Sequence, residues 1–160
     1  MATILATPSA KAQEVLKRYW NLELPVDVEA IARALGVKVE KLPPPGFSGF
    51  YQFKDGKPVI QVNSSEAELR QRFTIAHELG HYVLGHPGSY RDGPDTFSLD
   101  NHDPFEVAAN RFAAELLMPE SMIRFLVFKE GITNVTKLAF KAKVSEAAMQ
   151  YRLKNLSLVG

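Results

Sequence analysis

The chain has 160 residues, a nearly balanced charge (19 Lys and Arg against 18 Asp and Glu, formal net charge +1) and no cysteine. That length makes one domain, or one domain with a short appendage, and suffices to bury about two-thirds of the unfolded surface. The charge argues against a general affinity for nucleic acid or acidic membranes, and without cysteine neither disulfides nor thiolate metal sites can form, so any metal ligands come from His, Asp and Glu.

Residues 1–10 have no basic start and no sustained apolar stretch, so no signal peptide is expected. No run is long enough to span a bilayer, and a cytoplasmic protein is expected. Residues 10–20 and 27–35 read as helices, the second with Asp27 as N-cap and Gly36 as its stop. Residues 37–42 alternate like a strand, and Pro43-Pro44-Pro45-Gly46 breaks it. Residues 48–53 and 58–63 flank Lys54-Asp55-Gly56-Lys57, and Asp-Gly is a strong hairpin signal. A small antiparallel sheet is therefore expected ahead of the next helix. An exposed edge of that sheet could take an extended peptide as an added strand, although most hairpin residues need no role beyond structure.

Ser65-Glu66-Ala67-Glu68 fits a capping box, with Ser65 as N-cap and Glu68 reaching back. Behind it Phe73, Ala76, His77, Gly80, His81 and Leu84 fall on one helical face, and Gly85 and Pro87 supply a stop. Within this helix lies His77-Glu78-Leu79-Gly80-His81, an H-E-x-x-H motif. Residues four apart stack on a helix, so both imidazoles can point at one metal ion. Glu78, between them, is placed to hold a water at that metal. Two core histidines satisfied by backbone or carboxylate would be the purely structural alternative, but a glutamate flanked by such a pair on an apolar face has no evident structural use. Gly80 costs about 1 kcal/mol in a helix interior relative to Ala, and could let another element approach closely.

A catalytic zinc needs a third protein ligand. His86 would have to follow the spacing H-E-x-x-H-x-x-G-x-x-H, but Leu84 and Pro87 stand where that pattern needs glycine and histidine. Glu106 is the better candidate. It opens a helical run over residues 104–117 in which Glu106, Ala109, Asn110, Ala113 and Leu117 share a face. Asp103-Pro104-Phe105-Glu106 also fits a capping box, so Glu106 is read either as a ligand or as a capping residue. Asn110, one turn after Glu106, could accept an N–H from His77 and orient it. Residues 88–103 form a long polar loop, and Tyr90, His102 and Arg111 are candidates for contacting a substrate carbonyl or an oxyanion, against the plainer reading of each as an ordinary surface residue.

Residues 119–130, 134–142 and 145–155 read as three more helices, the last two with helix-turn-helix rhythm around Lys143-Val144. From Lys129 onward the basic residues exceed the acidic ones by four, a mild electrostatic footprint. The first turn of the second helix offers only Glu146, Ala147 and Ala148 to read bases, which favours packing or docking of a protein over independent DNA binding. The expected class is α+β: a mainly helical zinc-peptidase domain over residues 1–130 with a small antiparallel sheet, and a helix-turn-helix-like C-terminal unit over residues 131–160 packed on it.

The segment from Phe73 to Tyr82 (FTIAHELGHY), followed by the segment from Glu106 to Pro119 (EVAANRFAAELLMP), resembles the ImmA/IrrE family of metallopeptidases. The likeness extends more loosely to the amphipathic start and the C-terminal helices. It implies a gluzincin-like zinc endopeptidase in which His77, His81 and Glu106 match the metal ligands and Glu78 the general base. It also implies a helix-turn-helix repressor or antitoxin as the cleaved partner, often encoded nearby, with relief of repression as the result. The alternative is a regulatory module that senses metal or a partner and binds DNA or repressor through its C-terminal helices without proteolysis. Glu78 separates the two, because a binding module needs no carboxylate inside a ligand pair.

Overall fold

A computed structural model describes residues 7–43, 46–87, 90–92 and 103–158. The elements, in chain order, are α1 (Pro8–Tyr19), α2 (Val28–Ala34), β1 (Lys38–Leu42), β2 (Gly49–Lys54), β3 (Lys57–Asn63), α3 (Glu68–Val83), β4 (Tyr90–Asp92), α4 (Pro104–Leu117), α5 (Glu120–Phe128), α6 (Val135–Ala142) and α7 (Glu146–Asn155). The mainly helical α+β class follows directly. Among the described residues no helix is long and apolar enough to cross a membrane.

Local chemistry places most boundaries. Asp27, Asn134 and Ser145 each accept a backbone N–H with the side chain and cap α2, α6 and α7. Asp55 and Gly56 both take positive φ, 53° and 75°, as a two-residue turn between right-twisted strands requires. The capping box expected at Ser65 does not form. Asn63 Oδ1 accepts from both the backbone N–H and the hydroxyl of Ser65, at 2.9 and 2.6 Å, and this local turn holds Ser65 outside the helix. α3 therefore begins at Glu68 with Ala67 as its cap. Glu68 turns instead to Lys143 Nζ, 2.5 Å away, and that ammonium holds the Glu68 carboxyl below its usual range.

The sheet has the order β1-β3-β2-β4. The hairpin strands β2 and β3 pair antiparallel, as do β2 and β4. β1 runs parallel to β3, so the sheet is mixed where an antiparallel one was expected. The cause is chain direction: β1 leads away through Pro43 and the chain returns as β2, which leaves β3 beside β1 in the same sense. α3 packs on both this sheet and α4, and α1 packs mainly on α4. Gly80 makes the α3–α4 approach possible. A Cβ there would come within 3.1 Å of the Phe112 ring and 3.3 Å of the Ala109 Cα.

The C-terminal helices share this core. Leu138, Ala139, Ala142, Val144, Met149 and Leu153 join the same apolar cluster as Ile75, Leu79 and Leu116. Two arginines bind them to the body. Arg72 of α3 donates to Val26 O, Lys143 O and Ala142 O, gathering the chain before α2 and the turn between α6 and α7. Arg152 of α7 donates from Nε to Met118 O at 3.0 Å and pairs through its other guanidinium nitrogen with Glu115, which also accepts from Gln13 of α1. Burial lowers the Arg152 pKa to about 10, which still leaves it charged at neutral pH. Arg152→Met would strand the buried Glu115 carboxylate, so we expect a loss of about 3–5 kcal/mol in chemical denaturation. Adding Glu115→Gln to the same chain should recover much of it.

Candidate metal centre

α3 and α4 build the site between them. The 16 residues of α3 stack His77 and His81 one turn apart, and both are 0% exposed, facing α4. Their rings meet edge to face, with centroids 4.8 Å apart. The first turn of α4 brings Glu106 against them: its carboxylate oxygens lie 3.3 Å from His77 Nε2 and 2.8 Å from His81 Nε2. Both capping and metal contact had been open to this carboxylate, and the capping falls to another residue. Asp103 Oδ1 accepts from the N–H groups of Phe105 and Glu106 and caps α4, while Glu106 turns inward at 5% exposure.

Hydrogen bonding behind the rings sets the chemistry in front of them. His77 Nδ1 lies 2.7 Å from Asn110 Oδ1. An amide oxygen only accepts, so His77 Nδ1 carries the proton, and in the neutral ring Nε2 then carries a lone pair. That lone pair points at a carboxylate. One ligand atom from each of His77, His81 and Glu106 falls within 4.8 Å of the others. Electron-pair donors do not converge in a buried space without a cation or proton to hold them there. Two imidazoles and a carboxylate are the donor set of a catalytic zinc with one position left for water or substrate. Asn110→Ala is expected to weaken zinc binding by about 10–100-fold in a chelator competition, with α4 intact. Unchanged affinity would remove Asn110 from the site.

Glu78 is also 0% exposed. It lies under the first residue of β2: a Cβ on Gly49 would collide with Thr74 Cγ2 and come within 3.0 Å of Glu78 Oε2. The sheet can rest on this carboxylate only because position 49 has no side chain. Sequence reasoning did not single out Gly49, and its role rests on a tertiary contact.

The remaining candidates separate. Tyr90 lies in β4 with its backbone opposite Tyr51, while its side chain and all of His102 lie outside the described residues. Arg111 is exposed on α4, about 140° around the helix from Glu106, and the structure does not bring it to the carboxylate. His86, considered only as a third ligand, sits behind the site instead, with its Nδ1 2.8 Å from His81 Nδ1. Burial, and then the neighbouring His81, push the His86 imidazole down to about 4, so it is neutral at physiological pH.

Comparison with known proteins agrees with this geometry. The family model of peptidase M78, described as the IrrE N-terminal-like domain, matches residues 32–154. The radiation response metalloprotease IrrE of Deinococcus radiodurans is 36% identical over 106 residues, which cover 59% of this chain and 30% of that protein. The IrrE of Deinococcus deserti is 32% identical over 164 aligned residues, 94% of this chain and 55% of that protein. An uncharacterized immunity region protein of Bacillus phage phi105 is 36% identical over 75 residues, 47% of each chain. The chain thus spans 30% to 55% of the length of these curated relatives.

Proposed function

This chain belongs to the IrrE N-terminal-like peptidase family, and from that premise we propose that it is a zinc-dependent endopeptidase that cuts a helix-turn-helix repressor or antitoxin and so relieves repression. The observation that carries the reading is the buried convergence of His77, His81 and Glu106 with Glu78 beside the first histidine. The three would hold one zinc ion, whose contribution is Lewis acidity toward water and toward the scissile carbonyl.

The chain's own residues do the rest. Asn110 holds the His77 ring in one tautomer. Glu78 accepts a proton from the attacking water on a carboxylate oxygen as the new C–O bond forms. It returns that proton to the amide nitrogen as the C–N bond breaks, so that one water is consumed and the carboxylate is regenerated. The dry setting of Glu78 strengthens its interaction with that proton and keeps bulk water from competing. An extended substrate would add to the edge of the sheet at β4, which pairs with β2 beside Gly49. The likeness to a phage immunity region protein supports a transcriptional regulator as substrate, and a cytoplasmic site of action is part of this proposal. In this reading α6 and α7 serve to pack on the body and dock the partner, since the exposed start of α7 offers Glu146 and Ala147.

The test is to incubate the zinc-loaded protein with the helix-turn-helix repressor encoded beside it. One cut is expected, giving two fragments whose masses sum to the repressor plus one water, and none after chelation. An intact repressor held in a stable complex would favour the regulatory module without proteolysis.

A further inference from the structure

α3 ends in a tight reversal. Gly85 takes φ +73°, its N–H donates to Tyr82 O at 3.1 Å, and the N–H of His86 donates to His81 O at 2.9 Å. These two bonds form a Schellman motif, in which a left-handed residue folds the next one back over the last helical turn. The residue folded back is His86, and the residue beneath it is His81. An apolar contact is the usual occupant of that position. Here the two side chains meet through nitrogen, Nδ1 to Nδ1 at 2.8 Å, with the rings inclined at 60°. Phe105, next to the cap of α4, closes on His86 with ring centroids 4.6 Å apart.

Two imidazole nitrogens at this distance share one proton: one donates and the other accepts. A neutral imidazole has one N–H. If His81 offers its Nε2 lone pair toward Glu106 and a cation, its proton is on Nδ1. His81 Nδ1 then donates, and His86 Nδ1 accepts with its own proton on Nε2. Resting on the metal-centre reading above, we infer that His86 is a positioning residue of that centre, which fixes the tautomer and ring orientation of His81 through the turn at Gly85. Each ligand histidine then has its own acceptor. His77 has Asn110, delivered by α4; His81 has His86, delivered by the end of its own helix. Metal-bound histidines characteristically give their second N–H to such an acceptor, and the acceptor tunes the affinity.

The experiment has two arms on the full chain. In the first, imidazole 15N shifts of the zinc-loaded wild type report which nitrogens of His81 and His86 carry protons. A proton on His81 Nδ1 with the His86 proton on Nε2 is expected, whereas a His86 proton on Nδ1, or His81 bound through Nδ1, overturns the inference without recourse to any variant. In the second, zinc affinity is measured by chelator competition for wild type, His86→Phe, His86→Asn and His81→Ala. Phe keeps a ring against Phe105 but offers no acceptor, and its affinity should fall by about 10–100-fold. Asn restores an acceptor oxygen and should recover part of the loss. Wild-type affinity in His86→Phe, alongside a His81→Ala variant that no longer binds zinc, overturns the role of His86 and leaves the centre standing. Full zinc affinity in His81→Ala shows instead that the centre is misplaced, and the inference falls with it.

Discussion

Glu78→Gln is expected to lower repressor cleavage by at least about 10²–10⁴-fold, the usual contribution of general acid–base catalysis. The substitution keeps size and much of the hydrogen-bonding capacity while removing the basic group. It should therefore leave zinc affinity and unfolding temperature near those of wild type. Position 78 has no room for a bulkier test, because the side chain is fully buried and Gly49 packs against it. Asp in its place would withdraw the carboxylate by a methylene and should lose activity as well, although the charge is kept. A Gln variant that cuts at a comparable rate, with contaminating protease excluded, would contradict the role of Glu78.

The second large effect is on metal content. His77→Ala and His81→Ala should each reduce bound zinc from about one ion per chain to near none, since each would delete one of the three proposed ligands. Wild type should be stabilised by zinc by about 2.7 kcal/mol at one hundred times the dissociation constant, and these variants by far less. Glu106→Ala discriminates further. Asp103, not Glu106, holds the N-terminal N–H groups of α4, so the helix should persist while the response to zinc is lost. A Glu106→Ala chain that keeps full zinc affinity would move the third ligand elsewhere.

The parts of this molecule legible in the sequence are those set by local periodicity. Four-residue spacing put His77 over His81 and Glu106 over Asn110, and a helix makes such spacing into contact wherever it forms. The Asp55-Gly56 turn and the cap at Asp27 read correctly because their chemistry lies within three residues. Ser65 fits the same kind of local rule and failed, because Asn63 is a nearer acceptor for its N–H and hydroxyl. Contacts made across the fold left no comparable signal. Gly49 matters through the carboxylate it touches, 29 positions later in the chain. The parallel pairing of β1 with β3 depends on the path of the chain between them. The Glu115–Arg152 pair joins residues that each look like ordinary helix-surface charges until α7 folds onto α4. His86 lies between these cases. Leu84-Gly85-His86 is a local sequence, but its meaning requires Gly85 to take the left-handed conformation.

Diffraction from zinc-soaked crystals on either side of the zinc absorption edge tests the central claim most directly. The account predicts one anomalous peak between α3 and α4, at about 2.0–2.1 Å from His77 Nε2 and His81 Nε2 and about 2.0–2.2 Å from a Glu106 oxygen. A peak bound elsewhere on the chain, or an empty His77–His81–Glu106 grouping at saturating zinc, would contradict it.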